Sequence, residues 1–249
     1  MADRRAILKE NETLDDLILG NLQLIQPTQG YRFSLDAVLL AHFPELAGVS
    51  RVVDLGTGSG VIPILLTARE PQIRITGLEL QSAMVDRARR SVRLNKLENR
   101  IEIIQADIRD VKNTLTGGSA ELVLSNPPFW KIGEGRISRN QEKATARHEL
   151  NLTLEELVYA GAYLLVQGGK MAIIQRAGRL EEAMQAFCRH RLFLHRMRLI
   201  HSFADRNATL VLLEGRKNRP GSLGILPPLV IYTQPQEYSE EIKKLYREK

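Results

Sequence analysis

From residue 51 onward the chain alternates short apolar runs with longer stretches of helical spacing. "RVVDLG" (51–56) predicts a β-branched strand ending in glycine, and "VIPILLTARE" (61–70) behind it predicts a helix. "RITGLEL" is the next strand. "QSAMVDRARRSVRLNKL" (81–97) then places Met84, Ala88, Val92 and Asn95 three or four positions apart, the spacing of a helix with one face in the core. "IEIIQAD" reads as a third strand, "ELVLSN" as a fourth, "LTLEELVYAGAYLLVQGG" as a helix closed by its glycines, and "KMAIIQ" as a fifth strand. Strands alternating with helices predict an open parallel sheet covered on both faces.

The tail changes character. "RLEEAMQAFCRHRL" reads as a helix, but "MRLIHSF" and "ATLVLLEGRK" are strand-like runs separated only by "ADRN", which is hairpin spacing. "PPLVIYTQPQEYSEEIKKLYRE" supplies a short extended piece and a closing helix. Ahead of the repeating unit, residues 1–48 form an N-terminal extension expected to pack on a catalytic domain spanning 49–249.

With 249 residues, 43% hydrophobic and 26% charged, the chain can bury a full core and falls in the soluble globular range. Its charged start lacks the apolar segment of a signal peptide, and no uninterrupted apolar run has the length of a spanning helix. A cytoplasmic protein without membrane contacts is expected, as a monomer or weak homodimer. The single cysteine, Cys188, excludes an intrachain disulfide and a cysteine zinc cluster, and its helical setting reads as packing. His42, His190, His195 and His201 have no metal-ligand spacing, so no metal is expected. The net charge of +6 suits a polyanionic partner. It concentrates in 131–147, where Lys131, Arg136, Arg139, Lys143 and Arg147 outnumber Glu134 and Glu142, and in an arginine-rich run at 189–198. Either stretch is a solvated face or a set of phosphate contacts.

"DLGTGSG" (54–60) joins the first of these strands to its helix. Gly56, Gly58 and Gly60 let the backbone pass close to a ligand, with Thr57 among them. Their spacing is not the G-x-G-x-x-G of dinucleotide folds, and Asp54 ahead of the loop repels a pyrophosphate while attracting an ammonium or sulfonium group. Glu79 ends the second strand, where a carboxylate can accept both hydroxyls of a ribose. Asp107 ends the third, where an acceptor can meet an adenine amino group. Each acid alone reads as a solvated strand end, but three at successive carboxyl ends share one crevice. At the fourth strand, "NPPF" (126–129) stops the ladder, because neither Pro127 nor Pro128 has an N–H to donate.

In order and spacing, Asp54 to Gly60, Glu79, Asp107 and Asn126 to Phe129 resemble the class I S-adenosylmethionine-dependent methyltransferases. The resemblance implies a Rossmann-like, mostly parallel seven-stranded sheet with an antiparallel C-terminal hairpin and helices on both faces. It also implies S-adenosyl-L-methionine as cofactor, with the glycine loop under the methionine part, Glu79 on the ribose and Asp107 at the adenine edge. Asn-Pro-Pro-Phe/Tyr in that family marks methylation of planar nitrogens: adenine N6, guanine N2 in ribosomal RNA, or the glutamine amide of release factors. A conjugated amine is a poor nucleophile. Acceptors on both its hydrogens, the Asn126 side-chain oxygen and the Pro127 carbonyl, favour a tetrahedral nitrogen, while Phe129 offers a stacking face. "QGYRFSLDAVLLAHF" (29–43) and "ARHE" (146–149) are similar to segments of the bacterial tRNA1(Val) (adenine-37-N6)-methyltransferases, which implies a tRNA substrate. Ser34 and Asp36 in the first segment are helix caps or cofactor contacts. Arg147 and His148 in the second meet RNA, order a lid or form a solvated turn. Trp130 stacks on a base or covers the site. A nicotinamide oxidoreductase and a binding module without chemistry are the rival classes.

Overall fold

Strand β3 (Arg51–Leu55) shows how the sheet is built. Val52 enters one apolar layer and Val53 the other, and β6 (Ala120–Ser125) repeats the alternation with Leu122, Val123 and Leu124. A strand covered on both faces needs apolar residues at successive positions, which is why these runs read as continuous. The computed structural model describes residues 8–17, 21–29, 32, 34–127 and 152–246.

Between those strands lie α2 (Val61–Arg69), β4 (Arg74–Glu79), α3 (Ser82–Leu94), β5 (Ile101–Gln105) and the short α4 (Val111–Thr114). After β6 come α5 (Leu154–Leu164), β7 (Leu165–Arg176), α6 (Leu180–Arg189), β8 (Leu192–His201) and β9 (Ala208–Lys217). The sheet runs β5-β4-β3-β6-β7-β9-β8, parallel from β5 to β7, with β9 antiparallel to both its neighbours. The expected parallel sheet with a terminal antiparallel hairpin is borne out. Two short strands, β10 (Gly224–Ile225) and β11 (Leu229–Val230), extend the β8 edge. A small hairpin, β12 (Tyr232–Gln234) and β13 (Glu237–Tyr238), precedes α7 (Glu240–Leu245).

One layer packs α1 (Leu35–His42), α2 and α3 on the sheet through Leu39, Leu40, Ile64, Leu65 and Val92. The other packs α5 and α6 through Leu157, Val158, Ala186 and Phe187. Helix α5 starts on a capping box, Thr153 Oγ1 accepting from the Glu156 N–H and the Glu156 carboxylate accepting from the Thr153 N–H.

The glycines of "VQGG" do not close that helix. It ends at Leu164, and fully buried Leu165 is already extended (φ −71°, ψ 140°) and paired with Ala120 of β6. Gly168, at φ +74°, instead lies within β7, in the stretch where the pairing shifts register between Ala120 and Leu122. Cys188 is exposed, contrary to the packing reading, because α6 buries the side carrying Ala183, Ala186 and Phe187.

The 189–198 run is not a free cationic face either. Arg189 pairs with Glu155, Arg196 lies near Glu45 and Glu214 and over the Phe43 ring, and Arg198 pairs with Glu241. Among the described residues no helix is long and apolar enough to cross a membrane.

Residues ahead of α1 form an antiparallel hairpin, β1 (Glu12–Asp16) and β2 (Gln23–Pro27), held against α3. The Ile25 N–H donates to Ser91 Oγ at 3.0 Å. Asn95 accepts from the Gln23 N–H at 2.9 Å and donates to the Gln23 carbonyl at 2.7 Å, so it anchors the hairpin and does not fill the core. Glu12, its side chain only 4% exposed, sits between Arg90 and Arg87, and its hydrogen bonds with Arg90 above all hold its carboxyl down at about 2.

Candidate active site

The strand order reverses at β3, which has β4 on one side and β6 on the other. In open α/β sheets such a switch point opens a crevice at the carboxyl ends. The register fixes what faces it. Asp54 is level with Gly77 and Leu124, and Glu79 with Gln105. Asp107 follows two residues beyond Gln105, and Asn126 two beyond Leu124. Acids and amide thus lie at or just beyond the carboxyl ends of four adjacent strands, roughly 15 Å across at the usual interstrand spacing.

The glycine loop is strung on the end of β4. The Gly56 and Thr57 N–H groups both donate to the Leu78 carbonyl at 2.9 Å, and the Gly58 N–H donates to Glu79 Oε2 at 2.9 Å. Gly56 (φ +77°), Gly58 (φ +57°) and Gly60 (φ +86°) are all left-handed, a conformation strained for any other residue. A methyl group added at Gly60 would meet Ala88 at 3.4 Å, so that glycine serves helix packing. At Gly56 and Gly58 it would meet no protein atom within 4 Å. These two glycines leave open space beside the acids.

Asp54 is fully buried, and neither of its oxygens has a hydrogen-bond partner. Burial, with a smaller contribution from the Glu79 charge, pushes its carboxyl up to about 7. The Thr57 hydroxyl is near enough to temper the rise but makes no hydrogen bond of ordinary geometry. A buried acid with two orphaned oxygens suits a cationic group arriving from the crevice. Glu79 differs: Oε1 accepts from the Gln81 N–H and Oε2 from the Gly58 N–H, both at 2.9 Å. These bonds work against the rise that burial imposes on its carboxyl. A carboxylate has about four acceptor sites, so Glu79 keeps capacity for a hydroxyl.

Asp107 does not end its strand. Strand β5 stops at Gln105, and Asp107 caps the turn at Ile108–Asp110, accepting from the Arg109 N–H at 2.9 Å. The Arg109 guanidinium also bonds both carboxylate oxygens and holds the group below its ordinary value. Ser34 occupies the N-cap of α1 by backbone conformation, yet its hydroxyl donates to Asp36 Oδ2 at 2.9 Å and caps no N–H. Burial raises the Asp36 carboxyl. Asn126 and Pro127 are half-buried at the end of β6, which is tied to β3 by Ser125 Oγ donating to the Leu55 carbonyl at 2.7 Å. Pro128, Phe129, Trp130, Lys131, Arg136, Arg139, Lys143, Arg147 and His148 lie outside the described residues. Among the described residues, no group of three or more His, Cys, Asp or Glu is arranged to hold a metal ion.

A family model described as the methyltransferase small domain matches residues 35–195. The chain belongs to this methyltransferase family. A Porphyromonas gingivalis protein named tRNA1(Val) (adenine(37)-N6)-methyltransferase is 28% identical over 225 residues, 86% of each chain. A Bacteroides thetaiotaomicron protein of the same name is 27% identical over 214 residues, 86% of this chain and 87% of that one. Among solved structures, an Agrobacterium tumefaciens protein described as a predicted O-methyltransferase superposes with a TM-score of 0.68 at 24% identity, covering 85% of this chain and 95% of that one. Fold and family agree with the resemblance read from the glycine loop and its acids. The matched stretch of this methyltransferase begins at Leu35, so α1 lies within it and the β1–β2 hairpin before it.

Three residues of the site were not singled out from the sequence. Gly77 is one: a methyl group there would lie 2.9 Å from Thr57 Cγ2 and from Ile103 Cδ1, so its bare backbone makes room for Thr57. A glycine inside a strand pattern signals close approach, and "RITGLEL" carried that signal. Ser125 and Gln26 act through buried hydrogen bonds to residues 70 and 33 positions away, for which no local pattern exists.

Proposed function

We propose that this methyltransferase transfers a methyl group from S-adenosyl-L-methionine to the exocyclic N6 of adenine in tRNA, with adenosine 37 of tRNA-Val as the target. The observation that carries the reading is Asn126-Pro127 two residues beyond the rung of Asp54, beside a loop in which Gly56 and Gly58 face open space. The names of the two bacterial relatives support the tRNA adenine target.

When bound, S-adenosyl-L-methionine supplies an electrophilic methyl group. Asp54 attracts its positive end. Glu79 accepts from the ribose hydroxyls with its remaining lone pairs. Asp107, already shared with Arg109, faces the adenine edge, and Ser34 and Asp36 close the methionine side. At the acceptor, Asn126 Oδ1 and the Pro127 carbonyl accept the two amine hydrogens and orient the nitrogen lone pair. The same motif supplies in Phe129 an aromatic ring that can stack on a base for ~1–3 kcal/mol, next to Pro128, whose φ is fixed by its ring. No strong base is required, because the nitrogen becomes acidic once alkylated. Alignment and fixed dipoles account for the rate.

Glu79→Ala is expected to weaken S-adenosylmethionine binding by ~1–3 kcal/mol with the fold intact; wild-type affinity in calorimetry would remove Glu79 from the ribose. The same titration run with NAD separates this reading from an oxidoreductase.

On the RNA side, Lys131, Arg136, Arg139, Lys143, Arg147 and His148 supply the phosphate contacts. Arg136→Ala with Arg139→Ala is expected to weaken tRNA binding and flatten its salt dependence, by a slope of roughly one per lost contact, with S-adenosylmethionine affinity unchanged. Filter binding across a salt series decides it. An unchanged slope returns the segment to solvent and favours a glutamine-amide substrate.

A further inference from the structure

Strand β2 ends beside the glycine loop. Gln26 is fully buried there, and its side-chain nitrogen donates to Ser59 Oγ at 2.8 Å. Ser59 is 5% exposed and stands between Gly58, whose N–H holds Glu79, and Gly60, whose left-handed backbone starts α2. Buried amides and hydroxyls are costly without partners, so the two groups fix one another. A loop with three left-handed glycines has little stiffness of its own. The end of β4 holds its first half through the Leu78 carbonyl. Gln26 holds its second half from the other side.

The hairpin that carries Gln26 is itself fixed. Ser91, Asn95, Arg87 and Arg90 of α3 and its C-cap bind it through Ile25, Gln23 and Glu12. It is therefore a rigid support that lies before the stretch matched by the family model.

We infer that Gln26 is a positioning residue for the cofactor: through Ser59 it sets the glycine loop and the Glu79 carboxylate, so affinity for the nucleoside half of the methyl donor depends on a residue ahead of the stretch matched by the family model. This rests on Glu79 binding the ribose.

The test uses the full chain and two measurements, amide hydrogen exchange at Gly58 without ligand and the calorimetric Kd for S-adenosylmethionine. Gln26→Leu, which keeps most of the bulk and removes the donor, is expected to speed Gly58 exchange and to raise Kd roughly tenfold. Ser59→Ala should do the same, and the double variant should fall short of the sum of the two, since the two side chains share a contact. Glu12→Gln loosens the hairpin at its far attachment and should lower the melting temperature with Kd unchanged. Wild-type Kd and wild-type Gly58 exchange in either Gln26→Leu or Ser59→Ala overturn the inference, as does an additive double variant or an equal loss of affinity in Glu12→Gln. If the unmutated protein fails to bind S-adenosylmethionine, the cofactor reading falls before any variant is compared.

Discussion

Asn126→Ala is expected to lower turnover on tRNA by roughly two to three orders of magnitude with S-adenosylmethionine affinity unchanged. The effect follows from where the residue sits. Strand β6 is buried through Ser125, and the Ser125 hydroxyl bonds the Leu55 carbonyl on β3, so the chain is held in place up to the residue before Asn126. In the proposed role Asn126 Oδ1 is an acceptor that need not reorganise as charge develops, so losing it would cost the transition state more than the bound state. The groups proposed for the cofactor, Asp54 on β3, Glu79 on β4 and the glycine loop between β3 and α2, are left unaltered by the change. Single-turnover kinetics with saturating cofactor measure the effect. Near-normal turnover would leave Asn126 as the end of a strand and nothing more.

Asp54→Asn is expected to stabilise the ligand-free protein and to impair cofactor binding. In the unfolded chain this carboxyl ionises near its ordinary value, whereas in the folded chain it keeps its proton up to about 7. Between those limits the folded state holds a proton that the unfolded state has lost. Stability therefore falls as pH rises from about 4 towards 7. Above that the penalty is complete. Asparagine does not ionise, so the variant should gain roughly 2–4 kcal/mol at neutral pH and much less near pH 4. It also lacks the charge that attracts the cofactor, so its Kd should rise about tenfold or more. Thermal melts at two pH values and calorimetry test both halves. An unchanged melting temperature with unchanged affinity would place Asp54 outside the site.

Much of this was legible in the sequence because it is local. The strand and helix of each repeat declare themselves by burial on two faces or one, and "DLGTGSG" is continuous in the chain, so its left-handed glycines and flanking acid could be read together. The β1–β2 hairpin was not legible. Its strands have five residues each, and β1, "ETLDD", is mostly acidic, because its surroundings are the arginines of α3 and not an apolar layer. The end of α5 was misplaced for a similar reason: pairing of Leu165 with β6 outweighs the helix-stopping signal of two later glycines. Asp107 shows a third limit. Its position near the strand end was readable, but not its bonds to Arg109, which depend on the turn that follows. Arg189, Arg196 and Arg198 looked available because their partners, Glu155, Glu214 and Glu241, come from elsewhere in the chain.

The central claim, methyl transfer to adenine N6 in tRNA, is tested most directly by incubating the protein with methyl-labelled S-adenosylmethionine and total tRNA lacking the modification, followed by nucleoside analysis. Label is expected in N6-methyladenosine and is expected to be lost with Asn126→Ala. Label in N2-methylguanosine, or none in RNA and some in a protein glutamine, would contradict it.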